Sequence, residues 1–185
     1  MKFECLCLSL KTDMGRRTHM NDVFNKMNIP VSFFDAVTPH DLTKEDEARF
    51  NHCDFYEYNI NQKSVMATFI SHTNMLKYSI SENKNLLIIE DDLDYVIPLN
   101  FNEVDFGNFD ILNIGLRLSC YSYFVSKNGS ERILKELESK IITQAYDWEL
   151  SKLNTVNSLF TSEPHFIQVE NKFISNIAPN GYIKN

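Results

Sequence analysis

Leu86-Leu87-Ile88-Ile89-Glu90-Asp91-Asp92 decides the fold. Four consecutive aliphatic residues make a strand buried on both faces, as in a parallel sheet whose two sides are covered. Three carboxylates then end it. In open α/β sheets, ligands bind at the carboxyl ends of strands. Two unit charges about 4 Å apart interact by roughly 4 kcal/mol at a surface-like dielectric, so adjacent acids call for a cation. A hard divalent ion with oxygen ligands is the simplest candidate. The bland alternative is an acidic loop that merely follows a strand.

Upstream, Phe3 to Leu10 reads as a first strand. Asp13 can cap a helix from Met14 to Met27, with Met20, Val23, Phe24 and Met27 on one face. Asn28 and then Ile29-Pro30 close it, and Val31 to Val37 is a second strand. Such a β-α-β unit is parallel and right-handed. Arg16 and Arg17 lie near the helix start, where positive charge opposes the macrodipole. Either they are solvated, or they face an anion held where the helix points. Thr43 and Asp46 form a capping box for a short helix to about Phe50, and Asn51 to Gln62, with Tyr56 and Tyr58, reads as a surface loop. Ser64 to Ser81 is a strong helix whose stripe of Val65, Phe69, His72, Leu76 and Ile80 puts His72 on the buried side. That histidine is a satisfied core residue or a ligand contact. Ser71 is adjacent to it and so faces elsewhere, which argues against a Ser71-His72 nucleophile-base pair.

Downstream, Val96 to Gly107 is a connection containing Pro98, Phe109 to Ile114 is a buried strand, and Gly115 permits a tight exit. Cys120 to Ser126 is a further strand, and Asn128-Gly129 a turn into a helix from Ser130 to Lys140. Gln144 to Asn154 contains another helix start, with Asp147 as its cap or first-turn acid. Phe166 to Val169 is a last short strand, and the tail after Pro179 is loose. Alternating strands and helices define an α/β domain with a mostly parallel central sheet.

The 185 residues fit one domain, and 43% hydrophobic with 23% charged residues is ordinary for a globular protein. A net charge of -7 argues against non-specific nucleic-acid binding. It is compatible with a phosphorylated ligand, because a bound metal reverses the local field. Cys5, Cys7, Cys53 and Cys120 show no metal-type pairing and read as reduced cysteines in or near the core. Cys5 and Cys7 point to the same side of one strand, a poor geometry for a bridge. Glu4 and Lys11 bracket a short strand rather than a signal core, and no stretch approaches the ~20 apolar residues of a membrane span. A soluble, cytoplasmic protein is expected.

Several segments, in order, resemble glycosyltransferase family 25, which includes lipooligosaccharide sugar transferases and collagen galactosyltransferases. They are Cys7-Leu8-Ser9-Leu10-Lys11 through Arg16-Arg17 and Met20, then Phe33-Phe34-Asp35-Ala36-Val37, then Ser71-His72. Leu87-Ile88-Ile89-Glu90-Asp91-Asp92, Tyr123-Phe124-Val125-Ser126-Lys127-Asn128-Gly129, Asp147, and Val169 to Ile177 with Ser175 follow. Ala67 and Thr68 depart from the family's glycine and cysteine, and Glu170 lies near an expected glutamine. The resemblance implies a GT-A-like, Rossmann-type domain with a nucleotide-binding half over about residues 1–95, an acceptor half over about 96–178 and a loose tail over 179–185. It implies inverting transfer of a hexose, galactose or glucose, from a UDP-sugar to a saccharide or glycoconjugate hydroxyl, without a transmembrane segment and with peripheral membrane contact allowed. Mn²⁺ or Mg²⁺ would sit on Asp92, with Glu90 in support. Ser9, Leu10, Arg16, Arg17, Ala36, Val37, Ser71, His72, Glu90 and Asp91 would line the donor site. Asp147 would be the base opposite the leaving group, with Glu149 as second choice.

Two other readings compete. Asp92-Leu93-Asp94 after an aliphatic strand also resembles the nucleophile and acid/base pair of haloacid-dehalogenase-like phosphatases. That motif usually follows the first strand, whereas two strands precede it here, and Asp110-Ile111-Leu112-Asn113 supplies no downstream acidic pair. The altered Ala67-Thr68 stretch favours an inactive nucleotide-sugar-binding module, against which the intact acidic triplet argues.

Overall fold

The computed structural model describes residues 2–50, 62–116 and 119–169. Cys53, the expected loop with Tyr56 and Tyr58, Glu170, Ser175 and the tail after Pro179 lie outside the described residues.

The chain opens with β1 (Glu4–Ser9), α1 (Met14–Met27) and β2 (Val31–Asp35). Asp13 caps α1 through the Arg16 amide, and Asn28 ends it in the left-handed conformation at φ 52°, donating to the Phe24 carbonyl. A short polar residue tolerates that conformation where most side chains are strained. The Thr43–Asp46 capping box starts α2 (Lys44–Ala48), and α3 spans Gln62–Ser81. The aliphatic run is β3 (Leu86–Glu90), followed at once by a short strand, β4 (Leu93–Tyr95). Then come β5 (Ile111–Asn113), β6 (Ser122–Val125), α4 (Lys127–Glu138), α5 (Tyr146–Ser151), β7 (Ser158–Phe160) and β8 (Phe166–Gln168).

Six strands form the central sheet in the order β2-β1-β3-β6-β5-β7. β1 is parallel to both β2 and β3, and β5 is parallel to β7. β6 alone runs against its neighbours, pairing antiparallel with β3 and β5. The sheet is therefore mostly parallel, as the sequence pattern implies. β4 and β8 make a separate antiparallel pair.

Side-chain alternation along β3 splits the core into two layers. Leu86 and Ile88 pack with Leu6, Leu8, Phe69, Leu76 and Ile133 on the side of α3 and α4. Leu87 and Ile89 pack with Cys5, Cys7, Met20, Val23 and Phe24 on the side of α1. Cys5, Cys7 and Cys120 are free thiols.

One expectation needs correction. Asn128 and Gly129 are not a turn; they lie in the first turn of α4, capped by Ser126, whose hydroxyl accepts from the Gly129 amide. Glycine is needed there because a Cβ would sit 2.4 Å from the Asp110 carbonyl oxygen. β7 falls in a stretch to which the sequence pattern assigns no element.

Candidate functional site

The carboxyl end of β3 carries three acids with three different environments. Asp91 turns inward: Oδ2 accepts from the Ser9 hydroxyl at 2.6 Å and Oδ1 from Arg16 Nη1 at 2.6 Å. Burial pushes its carboxyl upward, against the pull of Ser9 and Arg16. Asp91 thus fastens the acidic turn to β1 and α1.

Asp92 is the opposite case. Its Oδ2 lies 3.7 Å from Arg16 Nη1, while its buried Oδ1 has no hydrogen-bond partner among the described residues. Burial, and next the charge of Glu90, push its carboxyl up to about 7. A buried acceptor without a donor is costly, and a cation or a protein or solvent donor normally meets it. The Asp92 carbonyl accepts from the Val169 amide at 2.9 Å, so the turn is also held from beyond β8.

Glu90 ends the strand with Oε1 3.0 Å from His72 Nε2. The other imidazole nitrogen, Nδ1, is 3.0 Å from the Tyr123 hydroxyl. The His72 ring stacks on Tyr146 with centroids 4.5 Å apart and planes 14° apart. His72 is 1% exposed, so it is a core residue with polar contacts at both ring nitrogens.

Tyr146 opens α5, and Asp147 follows it. The N-cap position belongs to Ala145, which makes no side-chain cap. Asp147 is a half-buried first-turn acid whose Oδ1 accepts from the Trp148 amide at 2.9 Å. Burial, followed in size by the opposing pull of that amide and the repulsion of Glu90, leaves its carboxyl raised. His72, bonded to Glu90 and stacked on Tyr146, links the neighbourhoods of Glu90 and Asp147, 57 positions apart in sequence. Glu149 is different: it is buried, and Oε1 accepts from the Thr143 amide and hydroxyl and the Gln144 amide at 3.0–3.1 Å. It braces the turn entering α5.

The remaining expected residues are tied together near this end of the sheet, largely through backbone groups. The Ala36 amide donates to the Ser9 carbonyl at 2.9 Å. Ser71 Oγ accepts from the Val37 amide at 2.9 Å and donates to the Ala67 carbonyl at 2.7 Å. Arg17 donates to the carbonyls of Leu10 and Ser9 and to Asp35, with its guanidinium 4.8 Å from the centroid of the Phe33 ring. Arg17 therefore braces the exit of β1. Tyr123 and Tyr146 were not singled out individually by the sequence. The available signals are a polar ring inside a buried strand and an aromatic residue opening a helix.

Among the described residues, no three His, Cys, Asp or Glu side chains are grouped to hold a metal ion. A magnesium-like ion takes one or two carboxylates and completes its shell with substrate phosphates and water. The orphaned Asp92 Oδ1, beside Glu90, fits such an ion. A concavity of about 820 Å³ opens at the other end of the sheet, lined in part by Glu4, Lys84 and Lys127. Two of its three lysines are paired, Lys84 with Glu4 at 2.7 Å and Lys127 with Glu131 at 2.5 Å. The unmet charge lies at the carboxyl end, and the functional site is assigned there.

Residues 3–104, just over half the chain, match the model of glycosyltransferase family 25, described as an LPS biosynthesis protein. The chain belongs to glycosyltransferase family 25. The match takes in Ser9, Arg16, Ala36, Ser71, His72 and the whole acidic turn, and leaves Tyr123 and Asp147 outside it. A Haemophilus influenzae protein named "Putative glycosyltransferase" is 48% identical over 44 residues. Those residues are 24% of this chain and 15% of the relative, so the match spans a small part of the relative's length. Among the described residues, no helix is long and apolar enough to cross a membrane.

Proposed function

We propose that this family 25 protein is a metal-dependent, inverting glycosyltransferase that moves a hexose, galactose or glucose, from a UDP-sugar to a hydroxyl of a saccharide or glycoconjugate. The observation that carries the reading is the buried, unpartnered Oδ1 of Asp92 just past a strand end, beside a Glu90 whose partner His72 stacks on Tyr146, the neighbour of Asp147. Asp92, with Glu90 beside it, would hold Mn²⁺ or Mg²⁺, and the bound ion would supply positive charge for the departing diphosphate.

The chain's own residues do the rest. Arg16 keeps Asp91 turned inward and adds positive charge next to Asp92. The backbone at Ser9, Ala36 and Val37, tied together and to Ser71, forms a fixed wall for the nucleotide. Asp147 takes the proton of the acceptor hydroxyl as that oxygen bonds to the anomeric carbon and the bond to the diphosphate oxygen breaks. Attack from the face opposite the leaving group inverts the centre. The raised carboxyl of Asp147 suits a base better than an ordinary surface aspartate, because a stronger base accepts the proton more readily. We assign the reaction to the cytoplasm, where nucleotide-sugars are at hand.

The phosphatase reading gains no observation: Asp94 sits in β4, with Oδ1 3.6 Å from His19 Nε2. Incubation with UDP-galactose or UDP-glucose, Mn²⁺ and a panel of mono- and disaccharide acceptors tests the proposal. UDP release that needs both acceptor and metal, and is lost in Asp92→Asn, is the expected result. Acceptor- and metal-independent release, or release of phosphate from a phosphomonoester, would overturn it.

A further inference from the structure

We propose that the His72–Tyr146 stack fixes where Asp147 stands relative to the acidic end of β3, which makes Tyr146 and Tyr123 positioning residues for sugar transfer. The inference rests on the reading of Asp147 as the proton acceptor.

α5 has six residues and no side-chain N-cap. Isolated helices of that length do not hold themselves together, so packing sets its position. Tyr146, Glu149 and Leu150 are its buried anchors. Of these, Tyr146 is the one bonded directly to Asp147. Its ring is clamped by two residues of α3: stacked on His72 at 4.5 Å, and edge-on to Phe69 at 5.4 Å and 87°.

The same imidazole reaches the other side of the site. A Glu90 carboxylate can only accept, so His72 Nε2 donates across the 3.0 Å separation. The other ring nitrogen, Nδ1, lies 3.0 Å from the Tyr123 hydroxyl. The Tyr123 and Tyr146 hydroxyls are 3.4 Å apart, closing the buried set. The ring is thereby fixed in plane by Glu90 and Tyr123 and on its face by Tyr146. One side chain on α3 thus touches both Glu90, which ends β3, and Tyr146, which opens α5.

The reaction is sensitive to this spacing. A base must come within about 2.6–3.2 Å of the hydroxyl it deprotonates, and a misplacement of ~1 Å can cost ~10²-fold in rate. Tyr146 and Tyr123 act through Asp147 and Glu90 without touching the reacting atoms.

The test compares Tyr146→Leu, Tyr146→Phe and Tyr123→Phe with Asp147→Asn. It uses whichever UDP-hexose and saccharide pair gives the parent its highest turnover. Tyr146→Leu removes the stack and should lower kcat by about 10–100-fold while the Kd for UDP with Mn²⁺ stays within about threefold. Tyr146→Phe keeps the ring and should restore kcat to within about threefold of the parent. Tyr123→Phe should lower kcat by about 3–10-fold, since it frees one edge of the imidazole. Where Tyr146→Leu does not fold, Tyr146→Met replaces it, keeping bulk without an aromatic face. A folded Leu or Met variant at parental kcat, alongside an inactive Asp147→Asn, overturns the positioning role and leaves the base reading standing. Parental turnover in Asp147→Asn overturns the base reading and this inference with it. Equal losses in Tyr146→Phe and Tyr146→Leu would assign the effect to the hydroxyl and overturn the stack.

Discussion

The two ends of the central sheet treat negative charge differently. At the amino-terminal end, Glu4 accepts from Lys84 and Tyr78, and the buried Asp110 accepts from Arg132 and the Asn157 amide. At the carboxyl end, one guanidinium, Arg16, serves Asp13, Asp91 and Asp92 together. Glu90 and Asp147 add further repulsion. One end meets its negative charge with donors of its own; the other leaves the Asp92 Oδ1 without one among the described residues. Strain of this kind is characteristic of sites where stability gives way to function.

If the comparison is right, removing an acid from the carboxyl end should harm chemistry and spare the fold. Asp147→Asn carries the largest expected effect. Turnover, followed by UDP release, should fall by roughly 10²–10⁴-fold while UDP affinity is unchanged. Turnover within a few-fold of the parent would remove Asp147 from the reaction.

Asp92→Asn comes next and should have two signs at once. Metal-dependent UDP binding, followed by calorimetry, should be lost, whereas the metal-free protein should become more stable. An unfolded aspartate titrates near 4, and the folded, metal-free group near 7. Below about pH 4 both states are protonated, and the penalty is absent. As pH rises from about 4 to 7, the unfolded chain ionises first and stability falls. Urea unfolding in EDTA at pH 5 and 8 should show that fall in the parent and a smaller one in the variant. The gain at pH 8 should be about 1–4 kcal/mol, from ~1.4 kcal/mol per pKa unit. Equal pH dependence in parent and variant would place the penalty elsewhere.

The amino-terminal end should respond in the reverse way. Gly129→Ala presses a methyl against the Asp110 backbone, which has no flexible end to yield. Chemical denaturation should show a loss of about 1–3 kcal/mol, with kcat per folded molecule unchanged. A drop in kcat would mean that the two ends are coupled. The smallest effect is expected at Glu149→Gln, which keeps an oxygen for Thr143 and Gln144: about 1 kcal/mol or less and turnover within a few-fold. A loss as large as that of Asp147→Asn would make Glu149 the base instead.

Much of the first half of the fold is legible because its signals are local. Asp13 and Asn28 bound α1, Thr43 and Asp46 start α2, and Leu86 to Ile89 cannot be other than buried. β7 is not legible: its three residues are all exposed, so no alternation marks them. Gly129 misleads because a glycine after an asparagine suggests a turn, whereas its cause is the approach of a distant backbone. The site shows the same division. The acidic turn stands out, but Asp91 and Asp92 are chemically identical neighbours. Which turns inward is decided by Ser9 and Arg16, far away in sequence. His72 likewise stays ambiguous until Glu90, Tyr123 and Tyr146 surround it.

The pairing of β4 with β8 has a bearing on synthesis. Leu93 pairs with Gln168, and the Asp92 carbonyl is held by the Val169 amide. Contacts between such distant parts of the chain form late, because a long loop must first close. A ribosome adds about 5–20 residues per second, so the nascent chain exposes its acidic turn for seconds before the segment that clamps it emerges. Until then the sheet's central strands can assemble without the clamp. A product truncated before residue 166 should therefore fold in part yet leave the acidic turn unclamped.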